Sequence, residues 1–118
     1  MTLSADDGKR IFSYDEALGM LPLVRELTRS ALAQIDALMN PIQSQDEMAG
    51  RREELEAAYQ RILDAWAEEV VSLGCVVKGL WLVDWDNGDG YYCWKYPEVT
   101  ISYFHGYDDG FAGRVPIN

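Results

Sequence analysis

The sequence predicts an α+β domain, an antiparallel helical hairpin packed on a small three-stranded antiparallel β-meander. Three observations carry that prediction. Two apolar stripes at helical spacing fill residues 14–73 and are parted by Asn40-Pro41. Between Leu80 and His105, two turns bearing Gly or Pro separate runs rich in aromatic and β-branched residues. Of the 14 aromatic residues (4 Trp, 7 Tyr, 3 Phe), ten fall at or after Trp81, so the unusual side chains belong to the sheet.

In order along the chain, residues 1–10 are polar and read as a frayed N-terminus, and residues 11–118 as one domain. Ser13 with Glu16 three residues on has the capping-box form, which predicts a helix from Tyr14. Pro22 cannot donate an interior helical bond, so residues 14–19 read either as the kinked first turns of a longer helix or, by preference, as a short helix with Pro22 in the first turn of the next. From there Leu21, Val24, Ala31, Ile35, Leu38 and Ile42 form one face, widened by Leu27 and Leu32. Asn40-Pro41 ends that helix, and Ser44 or Asp46 caps the next. Its stripe runs Met48, Leu55, Ala58, Tyr59, Ile62, Trp66, Val70 and Leu73, with Glu53, Glu54, Glu56 and Arg61 opposite. Gly74 sits where a left-handed C-cap belongs. The hairpin thus spans 14–73, the meander 75–105 and a C-terminal loop 106–118.

Composition narrows the function classes. A net charge of −10 repels phosphate backbones and anionic lipid, and the 10 Lys and Arg form no stripe, so neither nucleic acid nor membrane is an expected partner. No charged-then-apolar leader and no apolar run of spanning length are encoded, which predicts a cytoplasmic protein. Cys75 and Cys93 are then expected as thiols.

Register sorts the sheet. A two-residue Asn87-Gly88 turn pairs Asp84 with Tyr91, Leu82 with Cys93 and Trp81 with Trp94. A Pro97-Glu98 turn pairs Trp94 with Ile101 and Cys93 with Ser102. One face then carries Trp81, Val83, Trp85, Tyr92, Trp94, Tyr96, Val99, Ile101, Tyr103 and His105, and is expected to lie on the helices. The other carries Leu80, Leu82, Asp84, Tyr91, Cys93, Lys95, Thr100, Ser102 and Phe104.

Several stretches have a familiar look: Phe12 with Ala17 to Pro22, Gly74, Leu82-Val83-Asp84, Cys93-Trp94, Glu98, His105, and the closing Gly110-Phe111-Ala112-Gly113-Arg114-Val115-Pro116-Ile117. On these the chain resembles the domain-of-unknown-function 2203 family of bacterial proteins over nearly its whole length. It departs in a shorter link between Lys78 and Leu82 and in Trp85-Asp86, where a Phe-Pro pair is usual. The resemblance implies a fold and a set of recurrent polar positions, and no activity.

Asp84, Cys93, Glu98, His105 and Arg114 are the residues able to carry chemistry. A nucleophilic Cys93 needs a base within reach, and the single histidine, His105, falls on the opposite face, so a buried apolar thiol is the expected role. One His and two separated Cys lack the close pairs of a zinc site, and no metal or other cofactor is expected. Asp84, Asp86 and Asp89 lack the Gly and Glu positions of a calcium loop and read as a polar turn. Asp84 lies between apolar strand neighbours, and Arg114 on the tail is its expected ion-pair partner. With Cys93 and Glu98 these make a polar cluster, structural or binding; Trp85 and His105 would line a second, aromatic pocket.

The leading functional expectation is a non-enzymatic interaction or assembly module, formed as a homodimer. Leu80, Leu82, Tyr91 and Phe104 would otherwise be an exposed patch, and either that mixed sheet face or the outer side of the hairpin could supply the two-fold contact. The alternative is a small-molecule-binding protein or enzyme using Asp84, Cys93, Glu98 and Arg114, and whether the chain catalyses anything stays open. Clustering of those four around an open pocket favours the alternative, and burial in mutual pairs favours the module.

Overall fold

The computed structural model describes residues 10–117. The frayed start expected for residues 1–9 lies outside the described residues. Arg10 is anchored, its Nη1 donating to the Leu73 carbonyl at 2.8 Å.

Helix α1 spans Tyr14–Met39 and opens with the expected capping box. The Ser13 hydroxyl accepts from Glu16 N at 3.1 Å, and the Glu16 carboxylate accepts from Ser13 N at 2.8 Å. Contrary to the two-helix expectation, α1 runs unbroken through Pro22. Ala17, Leu21 and Val24 are all buried around it while Pro22 itself is exposed, so burial of the flanking face offsets the one missing helical bond. Asn40 caps its end, as Asn40-Pro41 foretold.

The second helical stretch is divided. A short α2, Gln45–Gly50, is capped by Ser44; α3, Arg52–Ser72, follows after a break at Arg51. The break sits beside Gly50, a poor helix former. Helices α1 and α3 lie antiparallel along each other: Trp66 Nε1 donates to Thr28 Oγ1 at 2.9 Å, and the Thr28 hydroxyl donates to the Val24 carbonyl at 2.8 Å. Gly74 has the left-handed φ of +99° expected of it. Among the described residues, no helix is long and apolar enough to cross a membrane.

Among the described residues the sheet is antiparallel throughout and has five strands instead of three, in sequence order: β1 Val76–Gly79, β2 Leu82–Asp86, β3 Tyr91–Lys95, β4 Tyr103–His105 and β5 Val115–Pro116. Leu80 and Trp81 are therefore turn residues. Trp81 takes φ +60°, a bulky residue in the left-handed region, with its ring edge-on to Trp66 at 4.9 Å.

Both hairpins differ in register from the expected pairing, with opposite consequences. In the first, Asp84 pairs with Cys93, Val83 with Trp94 and Trp85 with Tyr92, a shift of two. The turn widens because the Asp86 carboxylate accepts from Gly88 N and the Asn87 side chain accepts from both Asp89 N and Gly90 N. A shift of two keeps every side chain on its face. Val83, Trp85 and Trp94 duly pack with Leu21, Val24, Trp66 and Val70 in the core.

In the second hairpin Cys93 pairs with Tyr103 and Tyr91 with His105, a shift of one. That exchanges the faces of β4, taking Tyr103 and His105 away from the helix side and putting Phe104 opposite Tyr92. Residues 96–102 form a loop held from outside: Tyr14 Oη donates to the Ile101 carbonyl at 2.8 Å, and Arg25 donates to the Val99 carbonyl. Val99, assigned above to the core face, is 84% exposed.

Candidate functional site

The sheet face turned away from the helices is where the polar residues meet. Asp84 stands on interior strand β2 beside Cys93 on β3, and both are fully buried (0% exposed). The one-residue shift of β4 brings His105 to the same face. Its Nε2 lies 2.8 Å from Asp84 Oδ2. Gly90, at the start of β3, lets the two strands close there, since a Cβ on it would collide with the His105 carbonyl oxygen.

The C-terminal segment roofs this face, with β5 pairing to β4. The Arg114 guanidinium lies between the rings of Tyr103 and Phe111, 4.1 Å from each centroid. Tyr107 stands edge-on to Tyr91 at 5.2 Å and donates to Asp86 Oδ1 at 2.7 Å. Lys78 Nζ sits 4.2 Å from the centroid of the Tyr91 ring.

Hydrogen bonding fixes the proton count at the Asp84–His105 contact. His105 Nδ1 lies 2.9 Å from the Gly106 carbonyl, which can only accept, so Nδ1 carries a hydrogen. Nε2 facing a carboxylate oxygen at 2.8 Å then requires one more proton, on Nε2 or on Oδ2. Burial raises the Asp84 carboxyl above its ordinary value, while the nearby Cys93 thiol, His105 and Lys78 pull it down. Asp84 Oδ1, equally buried, has no hydrogen-bond partner among the described residues.

The ion pair expected between Asp84 and Arg114 is not formed. Arg114 bonds Glu98 instead, Nη2 to Oε2 at 2.9 Å and Nη1 to Oε1 at 3.1 Å. Glu98 is held in place by its own loop: Oε1 accepts from Lys95 N at 2.9 Å, and its carbonyl accepts from the Trp94 indole at 2.8 Å. The tail is thus pinned to the 96–102 loop, and His105 takes the place beside Asp84. The second pocket expected from Trp85 and His105 does not form either, because Trp85 lies in the helix-side core and His105 on the far face.

Cys93 and His105, expected on opposite faces, share one. They still make no nucleophilic dyad, because Nε2 is turned to Asp84 and the thiol is sealed. Burial first, and then the Asp84 carboxylate, push the Cys93 thiol up to about 12; burial does the same to Cys75. Both are free thiols. An aromatic disulfide reagent is expected to titrate neither in the folded protein at neutral pH and both after unfolding in guanidinium. Rapid modification of Cys93 in the folded state would contradict this picture of the site.

Of the residues singled out from sequence, the structure brings Asp84, Cys93 and His105 together and sets Glu98 with Arg114 close by. Sequence reasoning missed the roof of Tyr103, Tyr107, Phe111 and Lys78, and the partnership of His105 with Asp84. The signal for Tyr103 and for the His105–Asp84 partnership was the alternation of Tyr103 and His105 along β4, whose phase depends on a loop anchored by a distant helix. A groove of about 330 Å³ lies elsewhere, between the helices, lined by Ile35, Met39, Met48, Leu55 and Tyr59 with Arg52 and Glu56.

The family model described as "Uncharacterized conserved protein (DUF2203)" matches residues 10–117. No curated protein and no solved structure matches the chain.

Proposed function

This chain belongs to the uncharacterized conserved protein family DUF2203, a membership that brings no activity with it, and we propose that it works as a non-enzymatic assembly module which pairs with a second copy of itself through the far end of its helices. One observation carries the reading: the helix pair overshoots the sheet. Among the described residues, the main core draws on α1 only as far as Ala31 and on α3 only from Ile62 onward. Beyond those points Leu32, Ile35, Leu38, Met39 and Tyr59 are half-buried, Met48 is 37% exposed, and Leu55 alone is buried among the described residues of α2 and the first half of α3.

Two helices cannot cover both of their apolar stripes by themselves, whereas two such pairs can close a four-helix contact. Charge favours a second copy as the occupant. Arg52 and Glu56 stand one turn apart on the rim of the groove, so a two-fold contact sets Arg52 of each copy against Glu56 of the other. On the outer sheet face the charged side chains meet in pairs, Asp84 Oδ2 with His105 Nε2 and Glu98 with Arg114, which is in keeping with a module whose contact surface lies elsewhere. The patch first considered for a dimer is broken up: Phe104 lies on the other face from Leu82, and Tyr91 is covered by Lys78 and Tyr107. A cytoplasmic location is part of this reading, in keeping with the two free thiols.

Light scattering coupled to size-exclusion chromatography is expected to give twice the chain mass of 13.4 kDa. Met48→Glu, at an exposed position, should halve that mass and leave the far-UV circular dichroism unchanged. A wild-type mass that stays at 13.4 kDa as concentration is raised refutes the proposal.

A further inference from the structure

Independently of how the chain assembles, we propose that Asp84, Cys93 and His105 form a binding site for one divalent transition-metal ion of the zinc type. A carboxylate oxygen of Asp84, Sγ of Cys93 and a ring nitrogen of His105 all lie within 4.8 Å of one another, and all three residues are buried. Oxygen, thiolate sulfur and imidazole nitrogen are the donors that zinc and its neighbours accept. Bond lengths of about 2.0–2.3 Å place such donors roughly 3.3–3.8 Å apart, so the cluster needs a contraction of about an ångström at its widest and a slight opening between Nε2 and Oδ2.

Two details point to an ion and not merely to a structural hydrogen bond. The first is Asp84 Oδ1, a carboxylate oxygen on a fully buried side chain with no hydrogen-bond partner among the described residues. An unpartnered oxygen at such a depth is costly, and a cation takes its lone pair directly. The other buried side-chain atom without a partner among the described residues, Trp85 Nε1, belongs to the helix-side core and not to this cluster. The second detail is the bond from His105 Nδ1 to the Gly106 carbonyl at 2.9 Å. It fixes the tautomer and leaves Nε2 as the nitrogen able to bind a metal, which is the usual support for a metal-binding imidazole.

The exchange balances. One proton leaves Cys93 Sγ and one leaves the Asp84–His105 contact as the divalent ion enters. The buried site therefore keeps its net charge: two positive charges arrive and two depart. With both carboxylate oxygens, Sγ and Nε2, the three side chains offer four donor atoms, enough for a four-coordinate ion.

Cobalt(II) is the probe, added to the full chain after dialysis against a chelator. One equivalent should produce the near-ultraviolet thiolate-to-cobalt charge-transfer band with visible ligand-field bands, release about two protons, and be displaced by zinc. Zinc at a hundredfold excess over its Kd should raise Tm by roughly 10 °C. Cys93→Ala and His105→Gln should lose the charge-transfer band, and Cys75→Ala should keep it. Should Cys93→Ala fail to fold, the wild type and Cys75→Ala decide the matter between them. No cobalt band in folded wild-type protein, or a band lost in Cys75→Ala, overturns the proposal.

Discussion

In metal-free protein, Asp84→Ala is expected to lower the unfolding free energy by about 3–5 kcal/mol, because it leaves His105 buried with its Nε2 facing no partner. A loss of that size is a large part of the total for a domain of this length. His105→Ala should cost a comparable amount, since it strands the Asp84 carboxylate, whose Oδ2 loses its 2.8 Å contact with Nε2. The two effects share one interaction. Asp84→Ala/His105→Ala should therefore cost clearly less than the sum of the singles, with a coupling of about 1–3 kcal/mol in a double-mutant cycle followed by urea denaturation. Additive losses would mean that the two side chains act separately and that the contact is incidental. Arg114, the partner first expected for Asp84, should show no comparable coupling to it, whereas Arg114→Ala and Glu98→Ala should couple to each other.

Trp94→Ala is expected to cost a similar amount, about 3–5 kcal/mol, for a different reason. The ring is fully buried in the core between sheet and helices and stands edge-on to Tyr96 at 6.0 Å. Truncation opens a cavity that Val83 and Ile101, fully buried on their own backbones, cannot collapse to fill. It also deprives the Glu98 carbonyl of its indole donor, so the loop that carries the Glu98–Arg114 pair loses one of its fastenings. Trp94→Phe separates the two contributions: it retains most of the apolar area and removes only the hydrogen bond, and should cost about 1–2 kcal/mol. Equal losses for the two variants, read from denaturant midpoints, would place the whole effect in the hydrogen bond and contradict the cavity argument.

The features legible in the sequence were those decided within a few residues. Ser13 and Glu16 start α1, Asn40-Pro41 ends it, and Gly74 closes α3, because caps and breakers act on the backbone beside them. The inward side of β2 and β3 was also legible, and for a subtler reason. The pairing around Asn87-Gly88 is two residues away from the expected one, yet parity survives a shift of two, so Val83, Trp85, Tyr92 and Trp94 still face the helices. No such protection applied to β4. Its phase is decided by residues 96–102, and that loop takes its shape from Tyr14 and Arg25 on α1, far away in sequence. A shift of one then exchanged Phe104 with Tyr103 and His105, and with them the composition of the site. The course of α1 through Pro22 was one of two readings the sequence offered and not the preferred one, since the choice depends on what Ala17, Leu21 and Val24 pack against. Strand β1 was missed because its tight turn onto β2 places Trp81 at φ +60°, a conformation that sequence reading assigns to Gly or Asn, and β5 because it is two residues long and exists only beside β4.

Charge reversal at the rim of the helical groove tests the assembly reading most directly. Sedimentation equilibrium would be run on the wild type, Arg52→Glu, Glu56→Arg and the doubly reversed chain, all at exposed positions of α3. A general charge effect on this acidic protein would move the two singles in opposite directions, because one deepens the net charge and the other relieves it. A two-fold contact that sets Arg52 against Glu56 of a second copy predicts that both singles weaken the dimer, by about tenfold in Kd, and that the double reversal restores it. A dimer indifferent to all three variants, or a monomer in every case, would contradict the account.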